Sequence, residues 1–409
     1  MFIRLLFARR FWPHFWAQFL GAFNENVFRN GVIIMITYRS LQFMGLKTDQ
    51  LVALAGGVSI LPFFLFCAFA GEIADKWPKN RLVFLIKGGE LIGYCLAVVA
   101  LLMDSMPLLL TAAIIMGVQS TLFGPVKFSI LSELLDPDKL TESNALIGMG
   151  TFVAILLGTL LGGFLGAHDW QGMLGICVVM MVVALLGVFC AWLSPHTPAR
   201  VPQLKISYGV IGPVISMLKI TAQDRMIQKA VWSVAWFWFI GATLMGMLPI
   251  YVKESLGEKQ AVATGFLVLF TIGVAMGTLI GGKFAKKFSQ LIPLSLLIAG
   301  LTGVDLWIQG SYLGGVHLRT ILDLFLMSLC GGIYIVPLQT FVQSHGEPEE
   351  RSRTVAGSMF YNSLGMLLSA GMMMLIYSIG GHPPEIFLLL GLGSTAISVW
   401  LFTSRIQFK

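Results

Sequence analysis

Uncharged stretches long enough to cross a bilayer recur along this sequence with little between them. They cover Leu51–Gly71, Ser105–Val126, Ser143–Ala167, Trp170–Ala199, Ala230–Val252, Gln260–Gly282, Leu324–Ser344, Thr354–Gly381 and Ile386–Ser404, and Phe288–Val304 is a shorter run of the same kind. A helix needs about 20 apolar residues to span the hydrocarbon of a membrane. Two more apolar stretches, near 12–38 and 82–103, are interrupted by charge: Glu25 and Arg29 in the first, Lys87 and Glu90 in the second. The pattern predicts an all-α membrane protein with twelve transmembrane helices. Only 11% of the residues are charged, against about 25% in soluble domains, so most of this surface needs a solvent other than water.

Lysine and arginine then give an orientation, because they concentrate on the cytoplasmic side of short loops. With the N-terminus inside, nineteen of the 27 fall on the cytoplasmic side and five on the other, and Arg29, Lys87 and Lys127 lie within spans. Both termini are therefore expected on the cytoplasmic side of the membrane. The same asymmetry accounts for a net charge of +7 without a nucleic-acid partner. The basic, apolar start MFIRLLFARRFW has no small-residue cleavage site and reads as an uncleaved tail feeding the first span.

The five cysteines, Cys67, Cys95, Cys177, Cys190 and Cys330, lie in apolar stretches without CxxC or Cys/His spacing. They read as buried free thiols, with no metal site and no disulfide framework. The sequence lacks GxSxG, HExxH, Walker A and H-x4-D motifs. This points away from an enzyme and from any cofactor, and without a nucleotide motif any transport would have to use an ion gradient or the substrate's own.

The longest polar linker, Ser194–Gln228, carries four prolines and four positive charges, with Lys229 directly after it. It divides six spans from six: an N-terminal bundle over 1–194, a cytoplasmic linker over 195–228 and a C-terminal bundle over 229–409. The halves echo each other. Gly71-x-x-x-Asp75-Lys76-x-x-x-x-Arg81 follows span 2, and Gly281-Gly282-Lys283 with Lys286 and Lys287 follows span 8; Pro125 in span 4 matches Pro337 in span 10. An even number of spans per repeat makes the two repeats parallel. That arrangement, with the substrate site at mid-membrane between halves, is the one found in major facilitator transporters. The loop after span 2 resembles their signature G-x-x-x-D-R/K-x-G-R-R, with Pro78 where the family usually has Gly. The resemblance implies that Gly71 permits close helix approach. It also implies that Asp75, Lys76 and Arg81 form a charge relay holding the cytoplasmic side closed.

Ionisable residues inside a span are costly and are candidates for function. Glu25 and Arg29 are four apart and share a helix face, and Asn26 and Asn30 repeat that spacing. This polar stripe reads either as a structural salt bridge with amide bonds or as the lining of a wet cavity. Phe123-Gly124-Pro125-Val126-Lys127-Phe128 places a helix-breaking pair just before a lysine. Lys127 is either snorkelling to the interface or an anion ligand. Lys87 and Glu90, three apart, read as a self-satisfied pair, and Arg319 with Asp323, four apart, as structural. Gly158, Gly162 and Gly166 form a double GxxxG that permits close helix contact. Trp232, Trp236, Phe237, Trp238, Phe239, Met245 and Met247 crowd span 7 as interfacial anchors or as a wall for an acyl chain.

A narrower resemblance follows from three stretches. Ala17-Gln18-Phe19-Leu20-x-Ala22-Phe23-x-Glu25-Asn26, Phe123 to Leu131 and Asn144-Ala145-Leu146-Ile147-x-Met149-Gly150-Thr151 are similar to the bacterial lysophospholipid transporters. They also resemble the transporter half of fusions with an acyl-ACP synthetase and 2-acylglycerophosphoethanolamine acyltransferase, as does Trp236 to Thr243 on span 7. The resemblance implies a flippase that brings lysophosphatidylethanolamine and related lysolipids to the cytoplasmic face by alternating access. It implies that Lys127, with Arg29, holds the phosphate, that Glu25 meets the ammonium, and that Asn26 lies near the glycerol. Trp238 then belongs to the acyl-chain wall, and a separate acyltransferase is the expected partner. Glu25 replaces the family's usual Asp, and Met245 stands where stand-alone members carry Arg. A major facilitator exporter of a small amphiphile, and a non-transporting scaffold for an acyltransferase, are the competing readings.

Overall fold

The computed structural model describes residues 2–39, 48–166, 170–207, 209, 211–284, 290–345 and 347–403. Lys47, Lys286, Lys287, Arg405 and Lys409, which enter the charge reading above, lie outside the described residues. The described chain is helical, with no strand among its described residues. In order the helices are α1 (Phe2–Leu6), α2 (Trp12–Arg39), α3 (Thr48–Lys76), α4 (Lys79–Leu102), α5 (Met106–Ser129), α6 (Leu131–Leu134), α7 (Leu140–Gly166), α8 (Trp170–Trp192), α9 (Ile211–Gln223), α10 (Arg225–Glu254), α11 (Gln260–Phe284), α12 (Leu291–Ile308), α13 (Leu318–Ser344), α14 (Arg351–Ser378) and α15 (Pro383–Thr403).

Among the described residues ten helices, α4, α5, α7, α8 and α10 to α15, are long and apolar enough to cross a membrane. The helices α2 and α3 are 28 and 29 residues long. Large apolar side chains face outward along the ten, among them Phe164, Val178, Leu185, Leu301 and Leu367. A soluble monomer rarely exposes so much contiguous apolar surface, whereas lipid solvates it.

The helix ends follow from local chemistry. Asp224 caps α10, its carboxylate accepting from the N–H groups of Met226 at 2.6 Å and Ile227 at 3.4 Å. Pro107 opens α5, where a missing N–H costs nothing. Between α4 and α5 the chain reverses at Asp104, which takes the left-handed region with φ 48° and lets Ser105 N–H reach back to Ala100 C=O at 2.9 Å.

The described chain packs as two compact units. Unit 1 holds Met1–Pro137, Ala154–Gln223 and His345–Phe360; unit 2 holds Asp138–Val153, Asp224–Ser344 and Tyr361–Lys409. In unit 1, α2 lies on α8, α3 on α5, and α4 on both α5 and α8. Their shared core includes Tyr94, Leu101, Met116, Ile176 and Met180. The GxxxG reading of span 5 is realised here. A Cβ on Gly158 would meet the Phe23 carbonyl, and one on Gly162 would lie 2.6 Å from the Val27 carbonyl, both on α2. In unit 2, α11 lies on α13, and α12 on α13 and α15.

Four sequence readings change. The linker is not simply polar, since Ile211–Gln223 forms α9. Its Pro213, Met217 and Ile220 recur at helical spacing and are buried, and Met217 packs with Cys67 and Ala68 of α3 and with Ala356 of α14. Helix α5 runs unbroken through Pro125; proline removes one hydrogen bond, and neighbouring helices in a membrane bundle support the turn that loses it. Arg319 pairs with Asp305 on α12 rather than with Asp323, because it sits in the first turn of α13 and reaches sideways. Cys95 is exposed, while the other four cysteines are buried as expected, and all five are free thiols.

Candidate functional site

Two polar constellations interrupt the apolar interior of unit 1. The first gathers on α2 and α5. Glu25 and Arg29 form the ion pair expected from their spacing, with Arg29 Nη2 to Glu25 Oε1 at 2.7 Å. Their side chains remain 37% and 54% exposed, so the pair opens to its surroundings although it sits in the middle of an apolar helix. Ser120 on α5 donates to the other Glu25 oxygen at 3.3 Å. Two turns further along α5, Lys127 is half-buried, with its ammonium 5.0 Å from the Phe128 ring centroid. The Lys127 carbonyl accepts from His14 Nε2 at 2.8 Å, which fastens that end of α5 to α2.

The asparagines of the stripe point elsewhere. Asn26 donates to its own helix at Ala22 C=O, 2.8 Å away, and its Cβ lies where α7 passes closest, at Gly158. Asn30 bonds the Asn26 carbonyl and Thr159 on α7. Asn24, fully buried, donates to Met180 C=O on α8 at 2.9 Å. Asn24 and Asn30 hold α2 against α8 and α7, and Asn26 is satisfied within α2, leaving Glu25 and Arg29 as the chemically available pair. Trp238 belongs to unit 2, where its ring meets Phe237 edge-on at 5.7 Å. Its neighbour Trp236 stacks on Phe239 at 5.0 Å and donates from Nε1 to Ser394 at 3.2 Å.

The second constellation lies where α3 ends. Asp75 is fully buried. It accepts from the N–H groups of Ser352 (3.0 Å) and Arg353 (3.3 Å) and from Arg353 Nε (3.1 Å). Ser352 and Arg353 stand in the first turn of α14, whose N–H groups have no partner within the helix. A carboxylate there satisfies them and meets the positive end of the helix dipole. Burial raises the Asp75 carboxyl above its ordinary value, against the lowering effect of the Ser352 bonds and of Lys79 and Arg353. Gly71 makes the approach feasible: a Cβ there would lie 2.8 Å from Ala356 Cβ and 3.1 Å from Arg353 Cα. Lys76 is half-buried and Arg81 exposed. The base that is buried near them is Lys79, which pairs with Glu133 at 2.6 Å, and Arg200 of the linker joins the same Glu133 oxygen at 3.1 Å. The linker is strapped down further by Val201 N–H to Asp75 C=O at 2.9 Å and by Ser207 N–H to Glu72 at 2.8 Å.

With this geometry in view, the comparisons fix the family. A family model described as Major Facilitator Superfamily matches residues 15–370. The chain belongs to the major facilitator superfamily. It is a multi-pass membrane protein of that fold. It is similar to the lysophospholipid transporter LplT of Klebsiella pneumoniae, 26% identical over 403 residues, 95% of this chain and 94% of that protein. It is also similar to the protein of that name from Photorhabdus laumondii, 26% identical and covering 94% of each. Solved structures give the same architecture at low identity. The proton:xylose symporter XylE superposes with a TM-score of 0.78 at 13% identity, over 100% of this chain and 98% of that one. The human organic anion transporter MFSD10 gives 0.73 at 15%, over 95% and 99%.

The sequence reading did not single out Lys79, Glu133, Arg200, Arg353 or Ser120 as members of these sites. Lys79 is two residues from Arg81 of the signature, and Pro78, which precedes the start of α4, was the one local signal beside it. The others come from distant segments, and only the packed chain brings them in.

Proposed function

We propose that this chain is a secondary transporter that moves lysophospholipids such as lysophosphatidylethanolamine across the bacterial inner membrane. The observation that carries the reading is the open Glu25–Arg29 pair inside an apolar helix, with Lys127 further along the adjoining α5. A zwitterionic headgroup needs an acid for its ammonium and cations for its phosphate, and charge-assisted hydrogen bonds from Arg29 and Lys127 supply the latter. Glu25 serves the ammonium. The name carried by the relatives, lysophospholipid transporter, supports the same substrate class.

In this reading twelve spans form two six-helix halves, 1–194 and 229–409, joined by a cytoplasmic linker over 195–228, with both termini in the cytoplasm. The acyl chain lies along apolar side chains that include Trp238. Gly71, Asp75, Lys76, Arg81 and Pro125 serve the conformational cycle rather than the substrate. Asn26 acts by positioning α2. The delivered lipid is re-acylated by a separate acyltransferase.

The test is uptake of labelled lysophosphatidylethanolamine into spheroplasts that express the wild type, Glu25→Ala or Lys127→Ala. The expected result is uptake by the wild type and a loss of about tenfold or more in each variant, about 1.4 kcal/mol of headgroup interaction. Normal uptake in both variants removes the site, and no uptake by the wild type removes the substrate class.

A further inference from the structure

Lys87 and Glu90 on α4 are 2% and 3% exposed, lie within an apolar span, and have no part in the headgroup site above. As a stabilising device the pair is a poor choice. Desolvating two charges costs about as much as their attraction returns, and an apolar pair would pack as well. Ionisable groups retained inside membrane helices mark the paths of ions and substrates.

The surroundings are shaped to the pair. Lys87 Nζ donates to Glu90 Oε2, and Gln119 Nε2 on α5 donates to the same oxygen at 2.9 Å. The Phe123 ring faces Nζ with its centroid 4.8 Å away. Gly21 on α2 leaves the space: a Cβ there would touch Lys87 Nζ and lie 3.5 Å from both Glu90 oxygens. One turn along α4 from Glu90, the Tyr94 hydroxyl is fully buried and has no hydrogen-bond partner among the described residues, where buried hydroxyls as a rule have one.

One hydroxyl connects this pair to the headgroup site. Ser120 Oγ lies 3.3 Å from Gln119 Oε1 and 3.3 Å from Glu25 Oε2. A hydroxyl carries a single proton, so it serves one acceptor at a time. Glu25 and Glu90, on different helices, are thus joined through Ser120 and Gln119.

We propose that Glu90 is the coupling site of this transporter and takes up one proton for each lysophospholipid carried inward. The inference rests on the lysophospholipid reading above. The step balances simply: the Glu90 carboxylate gains a proton from water and becomes the neutral acid, Lys87 keeps its own proton and loses its counter-ion, and no electron moves.

Glu90 faces Lys87 and Tyr94 on its own helix, Gln119 on α5 and Glu25 on α2; Arg29 on α2 faces Tyr94, and His14 from α2, Lys127 from α5 and Cys190 from α8 face Lys87. Among these groups, while both acids are ionised, the three cations Arg29, Lys87 and Lys127 stand against two carboxylates. Protonation of Glu90 leaves three cations against one. Phosphate is then held more strongly, and by reciprocity a bound phosphate raises the affinity for the proton. Proton and lipid therefore travel in the same direction.

The test uses the purified full chain in sodium-free proteoliposomes with labelled lysophosphatidylethanolamine. One-to-one coupling lets an outside-acid gradient of one pH unit sustain about a tenfold inside-to-outside ratio. The wild type is expected to reach that ratio. Glu90→Gln, and Lys87→Met/Glu90→Gln to remove the stranded cation, are expected to reach a ratio near one, with uptake only down the lipid's own gradient. Accumulation by Glu90→Gln equal to wild type overturns the proposal, as does a wild type driven by a sodium gradient and indifferent to pH. If the wild type moves no lysolipid at all, the substrate reading fails instead. The proton site is then decided on substrate-free protein by infrared difference spectra. A carboxylic-acid band that appears on acidification and is missing from Glu90→Gln supports it, and identical spectra overturn it.

Discussion

The clasp at the end of α3 gives a prediction that needs no substrate. Asp75→Asn keeps the size of the side chain and one acceptor oxygen but removes the charge. The remaining oxygen can still accept from Ser352 N–H, as Oδ1 does at 3.0 Å. The two bonds to Oδ2, from Arg353 N–H and Nε at 3.3 Å and 3.1 Å, are lost or turned into donor–donor contacts. A hydrogen bond to a charged group contributes about 1.5–3 kcal/mol, so the gross loss is about 3–6 kcal/mol. The Arg353 side chain is 17% exposed and recovers part of its share from solvent, which puts the net loss near the lower bound, about 3 kcal/mol. At about 1.36 kcal/mol per tenfold, the clasped population falls by about two orders of magnitude relative to the unclasped one. Hydrogen exchange of the chain in nanodiscs reads this directly, because the Ser352 and Arg353 amides depend on Asp75 for their acceptor. Their exchange should speed up by roughly a hundredfold in Asp75→Asn, with amides in the middle of α13 unchanged. Unchanged exchange at Ser352 and Arg353 would show that Asp75 does not hold the start of α14.

Three further outcomes follow from the packing. Lys79→Met leaves the Glu133 carboxylate, 2% exposed, with Arg200 alone, and should lower stability by about 3–5 kcal/mol; Lys79→Met/Glu133→Leu should restore much of it, and a thermal midpoint no better in the double variant contradicts the buried-pair reading. Gly158→Ala forces a methyl onto the Phe23 carbonyl and should cost about 1–3 kcal/mol. Gly371→Ala enters open space within α14 and should be neutral or stabilising by up to about 1 kcal/mol; thermal shifts of the same sign and size in the two would refute the close-contact account. Arg29→Ala breaks an exposed pair and should change stability by less than about 1 kcal/mol while lysolipid uptake falls about tenfold or more; a large thermal shift with normal uptake would make the pair structural.

Much of the fold was legible because the bilayer restricts the alternatives: uncharged runs of spanning length have no other stable use, and charges within them stand out. The Glu25–Arg29 pair was readable from its spacing alone, since i and i+4 share a face whatever surrounds the helix. The GxxxG of span 5 was readable for the same reason. The partners of Asp75 were not, because Ser352 and Arg353 lie in a loop-to-helix junction far along the chain with nothing local to mark them. Helix α9 went unread although Pro213, Met217 and Ile220 carry its period; prolines and charges on either side masked a short amphipathic run. The Arg319–Asp305 pair was misassigned because helical spacing ranks near neighbours above a residue on the next helix. Lys87 and Glu90 were correctly paired from spacing, but their connection through Gln119 and Ser120 to Glu25 depends on how α5 packs.

The most direct measurement compares two labelled lipids of the same chain length in proteoliposomes containing the purified protein: lysophosphatidylethanolamine and monoacylglycerol, which lacks the phosphate and the ammonium. Recognition by Glu25, Arg29 and Lys127 requires that the first be moved inward at a rate well above protein-free vesicles and that the second be left at the background rate. Equal movement of both, or of neither, would contradict it.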